Sequence, residues 1–296
     1  MKIGSIWEPE DRRQAALFAR EGQAIALFNR GVCAILGDGE NEKFVEKVAT
    51  IKGGERKDRP LAGTVRTEEL VEIIDRSLIP QKYHELFLNS QELSSRIGSL
   101  CFVRVPILET SASEFPTSMV KSEDGKFYFQ NWDPWGHYPV WSLIEEMVEM
   151  GIKYPAITSL NVSGEAEIVE QEEGASFAEN SGIPIFLKDA RDFGRVRGSY
   201  AILGVSNEGL SLVRHGNVPV EILEFLLDKP VLVDGAKGPN FPQHEFPSSL
   251  IENLSPPTAR SAIIFYLQGR SVENIRSVLE RRTTRLSDMI KENGSG

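Results

Sequence analysis

Ser159 and Asn161 stand one residue apart in the run Thr158-Ser159-Leu160-Asn161-Val162-Ser163-Gly164, which follows the apolar residues Pro155 and Ile157. In an extended chain alternate side chains project from the same side, so this hydroxyl and this amide can address one ligand. Ser163 and Gly164 follow at the strand end, where backbone can approach a ligand closely. Such a set suits an anionic or polar ligand. Ser, Asn and Gly also build ordinary turns, so the weight of the segment comes from its partners elsewhere.

Three other groups carry chemistry of the same kind. Lys52 and Arg56, with glycines between them, can clamp a triphosphate, the Arg through bidentate contacts and the Lys as a point charge, or stay a solvated charge run. Arg104, inside the apolar strand Val103-Arg104-Val105-Pro106, needs a partner, either a carboxylate or a ligand phosphate. Ser199 opens one strand and Arg214 closes its hairpin partner, so the two ends can lie side by side. No GxxxxGK[ST] pattern occurs, so this is not a P-loop.

The elements that position these residues are legible as alternating patterns. Residues 11–29 carry apolar positions at helical spacing and predict one helix stopped by Gly31. A strand at 32–36, a turn at 37–41 and a helix at 42–51 lead to the Gly53-Gly54 break. A strand at 61–65, a helix at 68–74 and a buried strand at 100–105 follow. Residues 107–141 are irregular and rich in aromatics, with a hairpin turn at 121–126. They would form either a lid or pocket wall through Trp132, Trp135 and Trp141, or a hydrophobic flap over the sheet. A helix at 142–150 precedes the Ser-Asn strand. Strands at 183–187, 200–206 and 210–214, with a turn at 207–209, and a helix at 220–227 complete the pattern. Interleaved strands and helices indicate an α/β layer structure, and the hairpins make its sheet mixed. Residues 1–227 read as one domain, 228–256 as a linker wrapping the surface, and 257–296 as a short C-terminal helical extension.

Composition bounds the function. The 296 residues hold 41% hydrophobic side chains, enough for a packed core, and no apolar run approaches about 20 residues. The amino terminus lacks the long apolar centre of a signal peptide, and a cytoplasmic protein is expected, with no membrane partner. Cys33 and Cys101 lie in apolar runs and read as reduced, buried small hydrophobes. A net charge of −10 disfavours general nucleic-acid or anionic-membrane binding but leaves room for a local basic pocket. The four histidines form no metal spacing with the cysteines, so no protein-held metal is expected.

In this order the pieces resemble the YrdC-like family, best known for threonylcarbamoyl-adenylate synthases. The matching segments are Gly31-Val32-Cys33-Ala34-Ile35, then Ile51-Lys52-Gly53-Gly54-Glu55-Arg56 with Pro60-Leu61. Val103-Arg104-Val105-Pro106, the Ser-Asn segment, and Ser199 with Arg214-His215-Gly216 follow. The resemblance spans roughly residues 10–226. It implies a twisted α/β sheet of mixed strands with helices packed on it around a central concave groove. It also implies an ATP-dependent nucleotidyltransferase that joins an amino acid, bicarbonate or carbamate and ATP into a carbamoyl- or threonylcarbamoyl-adenylate feeding transfer-RNA modification. Carried over, the catalytic set is Lys52, Arg56, Ser159 and Asn161. Arg104, Ser163, Ser199 and Arg214 would join Lys52, Ser159 and Asn161 in holding the nucleotide. The cofactors implied are ATP and, with it, Mg²⁺.

The departures are equally specific. The family's PTDTVYGL segment is replaced by Leu36-Gly37-Asp38-Gly39-Glu40-Asn41, and its PLxxH histidine is absent from Pro60-Leu61-Ala62-Gly63-Thr64. Asp38 and Thr64 are what remain as candidates for the amino-acid pocket. Glu55 could occupy the register of Arg56. An altered acceptor follows, or a non-catalytic nucleotide- or RNA-binding relative. A third role is an interaction protein that dimerises through the C-terminal helices.

Overall fold

Apolar runs and amphipathic stretches become strands and helices in the computed structural model, which describes residues 1–54, 59–134, 137–191, 197–238 and 246–281. The first half comprises β1 (Lys2–Ser5), α1 (Pro9–Arg20), β2 (Ile25–Phe28), β3 (Cys33–Asp38), α2 (Glu42–Ile51), β4 (Ala62–Gly63), α3 (Thr67–Ile73), α4 (His84–Phe87), α5 (Ser90–Ile97) and β5 (Cys101–Ile107). There follow α6 (Glu109–Glu114), β6 (Val120–Glu123), β7 (Lys126–Asn131), α7 (Tyr138–Glu149), β8 (Pro155–Ser159), α8 (Gln171–Asn180), β9 (Ile185–Lys188), β10 (Ala201–Ser206), β11 (Gly209–Arg214), α9 (Val220–Leu227) and α10 (Pro256–Leu267).

The strands form one mixed sheet in the order β1-β9-β2-β3-β8-β4-β7-β5-β10-β11, with β6 paired to β7. β9 runs parallel to β1 and β2, β10 runs parallel to β5, and hairpins join β2 to β3 and β10 to β11. The path ends at β1 and β11, so the sheet does not close into a barrel.

Side-chain alternation divides the core into two layers. On one face Phe44 and Val48 of α2, Leu93 of α5, Leu223 of α9 and Ile263 of α10 pack over Cys33, Ile35 and Val105. On the other, Ala15, Ala16 and Ala19 of α1 and Leu143 and Met147 of α7 cover Leu27, Leu36 and Ile185. The small alanines let α1 lie close to the sheet. Gly37 has a similar role, because a Cβ there would sit 2.3 Å from the Phe44 ring.

Two sequence expectations are corrected here. The helix expected over 11–29 stops at Arg20, and Gly22 with φ +79° turns the chain into β2. All four β2 residues are buried, and a short continuous apolar run between two neighbours suits an interior strand. The aromatic stretch 107–141 is not a flap or lid. Its β7 lies between β4 and β5, and the β6–β7 hairpin turns through Asp124 and Gly125, both with positive φ. Trp132 is fully buried, and Trp141 lies on α7 beneath the Arg66 guanidinium. Trp135 lies outside the described residues.

Residues 228–238 run beside β11, where bridges pair Leu232 with Ser211 and Lys237 with Arg214. Helix α10 buries Ala259, Ala262, Ile263 and Leu267 and packs on α5 and α9. Residues 272–281 are helical, with Ile275 buried. Leu286, Met289 and Ile290 lie outside the described residues. Among the described residues no helix is long and apolar enough to cross a membrane. Cys33 and Cys101 are both free and buried, and burial raises both thiol pKa values.

His137, just before α7, is fully buried with its ring 6.4 Å from that of Trp132, and among the described residues neither ring nitrogen has a hydrogen-bond partner. Burial, reinforced by Arg30 and Arg191, lowers its pKa well below 6.5. The unfolded chain therefore takes up a proton below pH 6.5 that the folded chain refuses, so stability falls with pH in that range. One imidazole supplies this pH dependence. His137→Leu should remove it, read as the difference between the urea unfolding free energies of the two proteins at pH 7 and pH 5. Gly37→Ala should cost about 1–3 kcal/mol through overpacking against Phe44, read as a lowered midpoint with an unchanged m-value.

Candidate functional site

Helix α2 ends at Lys52, and Gly53 and Gly54, both left-handed with φ +85° and +84°, turn the chain away. Lys52 is only 5% exposed. Its Nζ donates to Ser159 Oγ at 3.1 Å and to Asn161 Oδ1 at 2.8 Å. Ser159 ends β8, opposite Ala34, and its hydroxyl donates to the same Asn161 oxygen at 2.6 Å. The Asn161 amide nitrogen donates onward to the carbonyls of Val162 and Glu165 at 3.0 and 2.9 Å, bracing the turn that carries Ser163 and Gly164. A buried ammonium is tolerated only with such acceptors around it.

The facing wall comes from β5, β10 and β11. Register pairs Phe102 with Ile202 and Arg104 with Gly204, while Ile202 opposes Arg214 across a bulge. Arg104 Nη2 donates to Gln130 Oε1 at 3.2 Å, and Arg214 Nη2 donates to the Tyr200 carbonyl at 2.7 Å. The Nε of each is buried without a partner among the described residues. Burial lowers both pKa values; Glu123 favours the charged form of Arg104 and Glu167 that of Arg214, while Arg104 opposes the charge on Arg214. A guanidinium stays protonated at neutral pH regardless, so this wall carries incompletely partnered positive charge. Ser199, 7% exposed, receives Asn217 N–H at its carbonyl and donates its own N–H to Glu167 Oε2 at 3.3 Å.

Between the walls lies a groove of about 690 Å³. It takes in Lys52, Arg104, Ser159, Asn161, Ser163, Ser199 and Arg214 together, although they come from stretches far apart in the chain. Arg59, Lys121 and Lys237 add three more cations, against the carboxylates Glu165 and Glu167. A chain of net charge −10 thus concentrates positive charge at one hollow, of a size suited to a small-molecule ligand.

Two expected residues do not line the groove. Asp38 ends β3 opposite Pro155 and accepts the Glu40 N–H, and burial raises its pKa. Thr64 is buried and donates its hydroxyl to the Pro155 carbonyl at 3.1 Å. Asp38 thus braces the turn after β3, and Thr64 the junction of β4 with β8. Arg56 and Glu55 lie outside the described residues. No group of three His, Cys, Asp or Glu side chains that could hold a metal occurs among the described residues. Sequence reasoning missed Arg59, Lys121, Lys237 and Glu167. Glu167 had a local signal, a charge abutting Ile168-Val169, whereas Lys237 reaches the groove only through its pairing with β11.

No family model matches the chain, and no curated protein matches it by sequence. Solved structures do. P. abyssi Sua5 complexed with L-threonine superposes with a TM-score of 0.60 at 19% identity, covering 82% of this chain and 69% of that one. A doubly substituted P. abyssi Sua5 gives 0.58 at 21% identity, over 75% of this chain and 62% of that one. E. coli YciO gives 0.55 at 13% identity, over 75% of this chain and 96% of that one. The chain thus spans less than two thirds of the substituted Sua5 structure. These likenesses define the fold: it is YrdC-like, with the mixed sheet and packed helices of that class.

The charge balance of the groove yields a ligand test that presumes no reaction. Inorganic triphosphate at one hundred times its Kd should stabilise the protein by about 2.7 kcal/mol, seen as a raised Tm, and the gain should shrink with added salt. Arg214→Gln should remove most of that gain.

Proposed function

We propose that this protein binds ATP in the groove and uses it to form a carbamoyl-adenylate from bicarbonate and an amino acid, with release of pyrophosphate. The observation that carries the reading is the buried Lys52–Ser159–Asn161 cluster facing Arg104 and Arg214 across one hollow. The fold it shares with a Sua5 structure complexed with L-threonine supports the same reading. The amino group attacks bicarbonate to give a carbamate and water. A carbamate oxygen then attacks the α-phosphorus of ATP, and the bond to the β-phosphate oxygen breaks as pyrophosphate leaves.

No side chain need act as a nucleophile. Lys52 and Ser159 would fix the carbamate or α-phosphate, while Arg104, Ser199 and Arg214 would offset charge on the departing pyrophosphate. Positioning and preorganised electrostatics carry such a reaction. Mg²⁺ accompanying the nucleotide would neutralise further phosphate charge. The product adenylate would serve as a donor for transfer-RNA modification, with threonine or another amino acid as the acceptor.

A second reading has its own support. Asp38 braces the turn after β3 and Thr64 the β4–β8 junction, and neither lines the groove. A nucleotide- or RNA-binding protein without turnover would look the same. Pyrophosphate release from ATP and bicarbonate, measured across a panel of amino acids, separates the two. Turnover with at least one amino acid, falling by about a hundredfold in Lys52→Met, is expected if that charge acts in the transition state. Nucleotide binding with no release for any amino acid would establish the second reading.

A further inference from the structure

Glu167 brings a carboxylate into a groove otherwise dominated by cations, and neither reading above gives it a task. Its side chain is 8% exposed and lines the groove. Oε2 is fixed by the Ser199 N–H at 3.3 Å, and among the described residues no donor reaches Oε1. Glu167 favours the charged form of Arg214, yet Arg214 donates to the Tyr200 carbonyl and forms no ion pair with Glu167 among the described residues. The carboxylate is thus oriented by one oxygen and open at the other.

Its position conflicts with a phosphate unless a cation lies between them. If Ser199 and Arg214 hold nucleotide phosphates, Glu167 lies among like charges, and two anions in a partly desolvated hollow repel strongly. Mg²⁺ resolves such a conflict, because it takes one or two carboxylates together with substrate phosphates and keeps its remaining waters. The donor set fits this ion: a hard carboxylate oxygen, with the hydroxyl residues Ser163 and Ser199 lining the same groove. Resting on the nucleotide reading, we propose that Glu167 Oε1 is the protein ligand of a Mg²⁺ ion chelated by the bound nucleotide, so that the nucleotide enters as its magnesium complex.

The test is calorimetric titration of the full chain with a non-hydrolysable ATP analogue, with excess Mg²⁺ or with EDTA. Mg²⁺ should tighten binding to the unsubstituted protein by about tenfold or more, and in Glu167→Gln this gain should fall to about twofold or less. Without metal, Glu167→Gln should bind the analogue as tightly as the unsubstituted protein or more tightly, since a like charge has gone. An equal Mg²⁺ gain in both proteins would overturn the assignment. So would an equal weakening with and without metal, which would mean that Glu167 only orients Arg214 or receives the ammonium of an acceptor. Should Glu167→Gln fail to fold, Glu167→Asp decides: a reduced Mg²⁺ gain supports the ligand role, and full retention overturns it. Absence of analogue binding by the unsubstituted protein in either buffer would refute the nucleotide reading itself, and this assignment with it.

Discussion

An ammonium group taken out of water sets the terms for this fold. Lys52 is 5% exposed, and leaving its charge unpaired there would cost several kcal/mol. The hydroxyl of Ser159 and the amide oxygen of Asn161 meet that demand, and they can do so only if β8 ends where it does beside the end of α2. The register of β8 against β3, Ala34 opposite Ser159, is therefore coupled to the chemistry of the groove. A slip of one residue would turn Ser159 to the opposite face and strand the lysine.

The opposite wall works in the reverse sense. Among the described residues Arg104 and Arg214 are each held by a single neutral acceptor, with a buried Nε left over. Burial disfavours both charges, and Arg104 adds repulsion to Arg214. Such a wall is less stable empty than with an anion in front of it, because an anion supplies the charge-assisted hydrogen bonds that the protein withholds. One wall meets its buried charge with neighbouring acceptors, and the other leaves buried N–H groups over. That asymmetry suits a site which must hold its geometry and still gain free energy from its ligand.

Much of this was legible in the residue order. The strands around Cys33, Val103 and Ile202, the β10–β11 hairpin and the Ser-Asn segment follow from apolar alternation and turn residues, and the convergence of Lys52, Ser159, Asn161, Ser199 and Arg214 follows from a resemblance in their order. Periodicity failed at 25–28, where four apolar residues continue the α1 pattern too briefly to separate strand from helix. It failed again at β7, because Phe127-Tyr128-Phe129 is aromatic on both faces and shows no alternation until β4 and β5 are placed beside it. Asp38 and Thr64 lie off the groove for a different reason. Each had a suitable side chain, but it bonds to nearby backbone instead, Asp38 to the Glu40 N–H and Thr64 to the Pro155 carbonyl, which also accepts the Thr64 N–H.

That competition shapes what the groove can accept. With Asp38 and Thr64 engaged by backbone, the sheet floor between the charged walls keeps Val32, Ala34, Ala62 and Ile157, joined by Phe102 and Tyr200 from the other arm. The hollow is thus amphipathic, with cations and hydroxyls at its rim and an apolar, partly aromatic floor. A ligand that satisfies both must carry concentrated negative charge and a flat or apolar body in one molecule, as a nucleoside triphosphate does. An amino acid alone offers one carboxylate and little apolar area, so it would leave most of the rim unpaired. On the proposed reading the free energy of binding therefore resides in the nucleotide, with the acceptor selected afterwards by the space and charge that the nucleotide leaves.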